Sequence, residues 1–298
     1  MKIPNAWQEK IVNGLIIITG YSAIIFVLMI LTFLLISGLP TIGEVDLVNL
    51  LGRRWYPIES YYGLIPLIAG SLVITIGTTL IAVPIGVGTA IFIAEVAPHW
   101  ARNILKPIVE VLGGVPSVVL GFMGILFFSD FIRRAFLLPT GLTAFTGAIL
   151  LAAVSIPAIV SISEDALDSV PRDYRDAAIA IGATRWQTIW MVTVPAARSG
   201  ILTAIMLGIG RTIGETMVVL MVTGNAPVLP AGLASFFAPV RTMTATIAAE
   251  MGEVANGSVH FHVLFFIGIV LFFISMLINL AASAVIFRQR KRSERLLS

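Results

Sequence analysis

Arg211 and Glu215 stand four residues apart within Ser199–Thr223, a stretch that is otherwise uncharged and largely apolar. If the stretch is one membrane-spanning helix, Arg211 lies near the bilayer midplane, where an ionised arginine costs about 2.5–3.5 kcal/mol. Something must offset that cost, and a glutamate four residues further on faces the same side of the helix. The pair therefore has two interpretations. The first is an internal ion pair that sets helix packing. The second is an oxyanion site in a transport path, in which Glu215 either holds Arg211 in place or accepts a hydrogen bond from a protonated anion.

Small residues precede this pair at helical spacing. Gly200, Ala204 and Gly208 continue to Arg211 at intervals of four, four and three residues. Such a stripe lets another helix or a substrate come close. The guanidinium group is planar and always charged, so it suits an oxyanion. The residues alone predict an anion site and do not choose the anion.

The composition excludes a soluble globular domain, a disordered chain and a nucleic-acid binder. Of the 298 residues, 58% are hydrophobic and 12% charged, and the mean hydropathy is +0.99. Soluble domains carry about 25% charged residues. The absence of cysteine rules out disulfides and thiolate metal sites. None of the four lysines lies in a Walker A loop, so ATP hydrolysis by that route must belong to another subunit.

Six spans are predicted from mostly apolar runs of about 20 residues. The first is interpreted as a retained signal anchor. Six spans place both termini on one side, and thirteen of the 19 basic residues then fall on that side, which the positive-inside rule makes the cytoplasm. Glu164–Arg198 is expected inside the cell and Asn225–His262 outside. The spans are Gly14–Ile36, Ile68–Ala94, Val111–Phe128, Leu142–Ser163, Ser199–Thr223 and Val263–Phe287.

Some polar groups near these spans have a structural interpretation as well as a functional one. Pro116-Ser117 is either a kink or a hydroxyl that lines a path. His260 and His262 are two possible metal ligands in an outer loop, an arrangement that usually binds nothing, so no metal site is predicted. Glu250 and Glu253 are expected on a short outer helix that faces water.

The inner loop predicts two short helices. Pro171 and Asp173 suit a helix start, Gly182 is a natural stop, and Ala183–Trp190 forms a second helix that Pro195 ends. An interfacial pair lying on lipid is one interpretation, because exposed tryptophans would suit a membrane surface.

The same loop resembles the EAA loop of ABC-importer permeases. Asp176-Ala177-Ala178, three residues, Gly182, nine residues and Val-Thr-Val-Pro195 match its Glu-Ala-Ala…Gly…Ile-x-Leu-Pro spacing, with Asp for Glu and Val for Ile and Leu. The resemblance implies a permease core of the MetI-like type, in which this loop is the coupling helix that docks on an ATP-binding subunit. The implied coupling residues are Tyr174, Asp176, Ala177, Ala178, Gly182, Ala183 and Pro195.

Other motifs are similar to those of phosphate-importer permeases, most of all the PstC-type half. They include Gly210-Arg-Thr-Ile-Gly-Glu-Thr216, Gly114-Val-Pro-Ser117 and Gly224-Asn225-Ala-Pro227. The resemblance implies a substrate path and four partners: a PstA-type second permease, a PstB-type ATPase dimer that binds ATP and Mg, a PstS-type phosphate-binding protein and inorganic phosphate. This chain itself would need no cofactor and would not be an enzyme. The implied path residues are Arg211, Glu215, Thr212, Thr216, Ser117 and Asn225.

The prediction is an all-α, multi-pass inner-membrane protein with about six transmembrane helices. Its expected parts are an N-terminal anchor and outer loop (1–60), a permease core (61–287) and a basic cytoplasmic tail (288–298). The alternatives are a permease for sulfate or molybdate and a stand-alone anion transporter, which usually shows paired repeats. A membrane-embedded hydrolase lacks a plausible nucleophile and base.

Overall fold

The structure is a computed structural model that describes residues 6–294, with side chains described for 11–284 except Leu233 and Ala282. Helices dominate it, and its two strands form a two-residue hairpin, β1 (Trp55–Tyr56) with β2 (Tyr61–Tyr62). Within residues 6–294, five helices are long and apolar enough to cross a membrane, or six if a bent pair counts as one span. The predicted all-α membrane fold is confirmed. The basic tail from residue 288 has no described side chains, and residues 1–5 and 295–298 lie outside the described part.

Most helices are joined by short connections, and the longest stretch without an α-helix is 223–242, between α12 and α13. Three π-helical segments, Phe92–Val96, Gly124–Phe128 and Ile189–Thr193, join neighbouring α-helices or extend them. The α-helices are α1 (Ala6–Gly38), α2 (Thr41–Glu44), α3 (Leu47–Leu50), α4 (Ile65–Ile91), α5 (His99–Gly114), α6 (Ser117–Met123), α7 (Ser129–Ala135), α8 (Ala144–Asp168), α9 (Arg172–Ala180), α10 (Arg185–Thr188), α11 (Val194–Gly214), α12 (Met217–Val222), α13 (Met243–Glu250) and α14 (Val259–Glu294).

Helix α8 is the centre of the molecule. Its most apolar stretch is 61% buried, against 28% for the stretches in α4 and α11 that pack on it. Small residues bring the three helices together, because a Cβ added at Gly86 of α4 or Gly208 of α11 would meet Ile159 at 2.8 and 2.7 Å. Close packing of this kind is how helices associate where no water drives them together.

Helix α1 stands apart from this core. Its apolar stretch is only 6% buried, and it meets α14 at its C-terminal end, where Phe33 packs edge-on against Phe265 and Gly38 lies against Ile269. An apolar helix with so little protein cover requires lipid or another chain around it.

The third predicted span, Val111–Phe128, is wrong as a single straight helix. Helices α5 and α6 meet at an angle of 91° across Val115-Pro116. Pro116 cannot continue the α5 hydrogen-bond ladder, and it serves as the N-cap position of α6. The kink interpretation of Pro116-Ser117 is therefore confirmed, and the predicted span joins the end of one helix to the start of another.

Two further boundaries differ from the prediction. Helix α8 extends to Asp168, so Glu164 is not in the loop; its side chain is buried and is held by Arg102 at 3.1 Å and Lys106 at 3.2 Å. Pro195 does not end a helix, because residues 185–214 form one continuous helical run. A π-helical turn lies just before Pro195, and the helical run continues although the Pro195 nitrogen cannot donate a hydrogen bond.

The end of α13 forms a polar cluster with the β-hairpin. Glu250 receives hydrogen bonds from Trp55 Nε1 at 3.1 Å and Arg241 at 2.7 Å, and it pairs with His260 at 2.8 Å. Its side chain is 16% exposed, so the expectation that Glu250 faces water is wrong, whereas Glu253 is exposed. Burial in this cluster raises the pKa of the Tyr62 hydroxyl.

Candidate functional site

The predicted fifth span breaks at Glu215. Helix α11 ends at Gly214, Glu215 is extended with φ −70° and ψ 129°, and α12 begins at Met217. The Glu215 carboxylate closes the break, because Oε1 accepts the backbone N–H groups of Thr216 and Met217, both at 3.1 Å. Glu215 therefore acts as a cap for α12, and a negative charge is favourable at a helix N-terminus.

The predicted Arg211–Glu215 ion pair is wrong. Arg211 lies in the last turn of α11 with its side chain exposed, and no described carboxylate comes within 4.0 Å of it. The pairing assumed a helix that continues past residue 214, and the break turns Glu215 toward backbone N–H groups instead. The apolar run 199–223 gave no sign of this break, because no proline interrupts it.

The small-residue stripe on α11 also continues differently. Gly200, Ala204 and Gly208 pack on α8, and the next residue of that face is Thr212, whose side chain is 5% exposed and lies 3.0 Å from the Ser155 hydroxyl. Arg211 is turned away from this packed face. Thr212 thus holds the helix in place, and Arg211 is left open to other groups.

Hydroxyl groups surround the break. The Thr244 hydroxyl donates to the Glu215 carbonyl at 3.1 Å and lies 3.1 Å from the Thr242 hydroxyl, and Ser71 Oγ accepts the Met243 N–H at 3.0 Å. Polar side chains from this region line a small cavity: Ser71, Thr75, Thr212, Glu215, Thr242 and Thr244. Sequence reasoning missed Ser71, Thr75 and Thr244 as site residues. Ser71 and Thr75 gave no signal beyond a hydroxyl in apolar surroundings, whereas Thr244 lies in Thr242–Glu253, a segment that also resembles phosphate-importer permeases.

The remaining predicted path residues lie around α12. Thr216 adjoins Glu215, and Ser117 opens α6, which packs on α12 where Gly121 faces Val218 and Met221. Asn225 lies beyond the other end of α12 with φ 48°; its Nδ2 donates to the Leu220 carbonyl at 2.6 Å, and its buried Oδ1 has no partner among the described residues. The structure gathers Arg211, Thr212, Glu215 and Thr216 at one break and leaves Asn225 at the opposite end of α12.

The two short helices predicted in the inner loop are α9 and α10. Helix α9 ends in a Schellman motif: Gly182 N–H donates to the Ile179 carbonyl at 2.9 Å, and Ala183 N–H donates to the Ala178 carbonyl at 3.0 Å. Gly182 has φ 90°, which disfavours any other side chain. Helix α10 starts with a capping box between Thr184 and Gln187.

The residues predicted to dock on an ATPase differ in exposure. Tyr174, Asp176, Ala177 and Gly182 are exposed, and Ala183 is half-buried. Ala178 is buried at 7% exposure, so it packs within the chain and is not available for docking. Pro195 is exposed at the start of α11.

Arg175 ties this loop to the core, a role that sequence reasoning missed. Its guanidinium group donates to Glu95 Oε1 at 2.7 Å and to the carbonyls of Leu167 and Val170 at 2.9 and 3.1 Å. Arg185 donates to the Glu95 carbonyl at 2.5 Å. Helices α9 and α10 are thereby joined at Glu95, which lies in the π-helical segment that follows α4 and directly after the second predicted span.

His260 and His262, which were expected in an outer loop, lie in the first turn of α14 and contact carboxylates. His260 pairs with Glu250, and His262 Nδ1 lies 2.8 Å from Glu44 Oε2. In residues 6–294, no group of three or more His, Cys, Asp or Glu side chains is placed to hold a metal ion.

Comparison with known proteins identifies the type of chain. Residues 82–293 match the family model described as "binding-protein-dependent transport system inner membrane component". A probable ABC transporter permease protein, YqgH of Bacillus subtilis, is 40% identical over 89% of this chain and 87% of its own. The phosphate transport system permease protein PstC of Pasteurella multocida is 32% identical over 89% of this chain and 90% of its own, and PstC of Haemophilus influenzae is 31% identical over 91% of each.

Solved structures share the fold at low identity. A chain of a bacterial alginate ABC transporter, in complex with its alginate-bound periplasmic protein, has a TM-score of 0.63 at 16% identity over 94% of this chain and 96% of that one. A chain of the MetNI methionine ABC transporter has a TM-score of 0.60 at 18% identity over 79% and 99%. These likenesses concern the fold alone.

Proposed function

The chain belongs to the family of binding-protein-dependent transport system inner membrane components, and we propose that it is the PstC-type permease subunit of an ATP-driven importer of inorganic phosphate. As a multi-pass ABC permease of the inner membrane, it would form the translocation path with a second, PstA-type permease. A PstB-type ATPase dimer would bind ATP and Mg and supply the energy, and a PstS-type protein would deliver phosphate from outside. Both termini and the α9–α10 loop would face the cytoplasm.

The observation that carries the proposal is the state of Arg211. Its guanidinium group is exposed in an apolar span and has no carboxylate within 4.0 Å among the described residues. A permanent charge that costs energy in a membrane and is not neutralised within the chain suits a passing anion. The curated relatives named as phosphate permeases, at 31–35% identity, support phosphate as that anion.

Chemistry at Glu215 also favours phosphate over sulfate or molybdate. The Oε1 atom accepts all the described hydrogen bonds to the carboxylate. Oε2 accepts none from the backbone or the described side chains of residues 11–284. The hydroxyl of hydrogen phosphate can donate a hydrogen bond to a carboxylate oxygen, whereas sulfate at neutral pH has no hydroxyl. We assign Glu215 Oε2 as the acceptor of that hydrogen bond and Arg211 as the group that binds the unprotonated oxygens.

Uptake of labelled phosphate by cells that carry the complete transporter tests the proposal. Arg211→Gln should lower uptake roughly tenfold or more, since hydrogen bonds to charged groups contribute about 1.5–3 kcal/mol. Arg211→Lys keeps the charge without the planar fork and should retain part of the activity. The control is Arg53→Gln, which removes an exposed arginine outside the spans.

Two results would contradict the proposal. Normal uptake by Arg211→Gln, in a complex shown by co-purification to be assembled, would remove Arg211 from the path. If sulfate or molybdate competes with labelled phosphate as strongly as unlabelled phosphate does, the transporter is not specific for phosphate and accepts oxyanions more broadly.

A further inference from the structure

A groove separates helices α4 and α11 on the side of the molecule that carries the α9–α10 loop. It is open to the surroundings, has a volume of about 510 Å³ and is almost entirely apolar. Val87 and Ile91 contribute to one wall, and Ile201 and Ile205 to the other. Gly88 widens it, because a Cβ added there would meet nothing within 4 Å.

The polar side chains of the groove, Trp190 and Arg198, both lie on its α11 wall. Trp190 is in the π-helical turn before α11, and Arg198 follows about two helical turns later, in the first part of α11. The Trp190 side chain is exposed, and Arg198 makes no ion pair with any described residue within 4.0 Å. Tryptophan and arginine together mark the depth at which lipid headgroups meet the hydrocarbon.

The groove continues beyond Arg198 for part of one leaflet. From Arg198 to Ile205 its α11 wall rises about 10 Å at 1.5 Å per residue. One leaflet of the hydrocarbon core is about 15 Å thick. The groove therefore covers about two thirds of the length of an acyl chain whose headgroup is held at Arg198.

We propose that the groove binds one anionic phospholipid from the leaflet on the α9–α10 side. An acyl chain lies between α4 and α11, the headgroup phosphate accepts hydrogen bonds from Arg198, and the Trp190 ring lies at the headgroup level. A basic group beside an intramembrane groove is a recognised arrangement for anionic lipids. Because Trp190 and Arg198 flank the helical turn that follows α10, the lipid contacts the segment that links the loop to α11.

The test is native mass spectrometry of the full chain, purified in mild detergent with equal amounts of phosphatidylglycerol and phosphatidylcholine of identical acyl chains. The wild-type chain should retain one lipid and prefer phosphatidylglycerol. Arg198→Gln should reduce that preference about fivefold, which corresponds to roughly 1 kcal/mol for one basic residue at the surface. Arg172→Gln, which removes another exposed arginine on the same side, should leave it unchanged.

Filling the groove tests the acyl-chain half separately. Gly88→Leu should abolish retention of both lipids, whereas Gly20→Leu adds the same side chain in open space on α1 and should not. Retention by Gly88→Leu equal to that of Gly20→Leu would overturn the proposal, and so would an unchanged lipid preference in Arg198→Gln. If the assembled transporter instead holds a helix of the second permease in the groove, a photoreactive group on Gly88→Cys will cross-link to protein rather than lipid, and the proposal fails.

Discussion

At the scale of single residues, Glu215 changes role between sequence and structure. Four-residue spacing made it the partner of Arg211, whereas the fold uses its carboxylate to cap α12. Glu215→Ala should lower the free energy of unfolding by about 1 kcal/mol, the usual cost of losing a cap. Glu215→Gln should lose less, because its amide oxygen can still accept the same N–H groups.

A double-mutant cycle on the purified chain measures whether Arg211 and Glu215 interact. We expect the combined effect of Arg211→Gln and Glu215→Gln on the free energy of unfolding to equal the sum of the single effects, within about 0.5 kcal/mol. A larger coupling energy would restore the ion pair. Thermal or urea unfolding in detergent, with phosphate absent, provides the measurement.

These residues show how far sequence could go. The residue type and the apolar surroundings of Arg211 were sufficient to predict a costly charge in the membrane. They did not show whether Glu215 neutralises it, because that depends on the path of the backbone. Whether residue 215 continues a helix depends on tertiary contacts such as the Thr244 hydrogen bond to its carbonyl, 29 residues away in sequence. No local pattern encodes that contact.

At the scale of elements, the α9–α10 loop and the core meet at Arg175. This arginine joins the Glu95 carboxylate and two carbonyls at the end of α8, and both charged side chains are largely buried. Arg175→Ala leaves Glu95 without its cation and should destabilise the chain by on the order of 3 kcal/mol. Arg134→Ala, which removes an exposed arginine from a surface pair with Asp130, is the control and should cost under about 1 kcal/mol.

Arg175→Ala is also expected to impair transport strongly in the fraction of the protein that folds. If α9 docks on an ATPase, Arg175 is the rigid connection between the docking surface and α4. Phosphate-stimulated ATPase activity of the assembled complex should then fall in Arg175→Ala while basal ATP hydrolysis persists. Equal stimulation in Arg175→Ala and wild type would show that the connection transmits nothing.

Docking itself is best tested at Ala177. This residue is exposed on α9, so Ala177→Trp should prevent co-purification of the ATPase without changing the melting temperature of the permease. Ala178→Trp should instead lower the melting temperature, because Ala178 is buried. Gly182, another residue implied in coupling, is a poor probe of docking, because its φ of 90° penalises every residue with a side chain for reasons unrelated to docking.

Elements were predicted best where their signals are local. Gly182 and the residues before it predicted the end of α9, and the apolar runs located most of the spans. The 91° bend between α5 and α6 and the π-helical turn before Pro195 were not predicted quantitatively, because a proline indicates that a ladder is interrupted without fixing the geometry that follows.

At the scale of the whole molecule, two basic residues oppose the predicted orientation. Arg133 and Arg134 lie on the expected outer side and weaken the positive-inside bias, and each pairs with Asp130 at 2.7 Å. Because the bias counts lysines and arginines and acidic residues contribute little to it, this pairing does not remove their weight against the orientation. The orientation with Glu164–Arg198 in the cytoplasm remains a prediction.

Single introduced cysteines test this orientation directly, because the chain has none of its own. Ala255 is exposed in the turn before α14, and Ser169 is exposed at the end of α8. A membrane-impermeant maleimide applied to intact cells should label Ala255→Cys and spare Ser169→Cys, since one residue faces outward and the other lies behind the membrane. Ser258 is a less suitable position, because its hydroxyl accepts the Phe261 N–H and caps α14. After the cells are opened both cysteines should react, which controls for accessibility, and labelling of Ser169→Cys alone in intact cells would invert the topology and place the α9–α10 loop beyond the reach of any cytoplasmic ATPase.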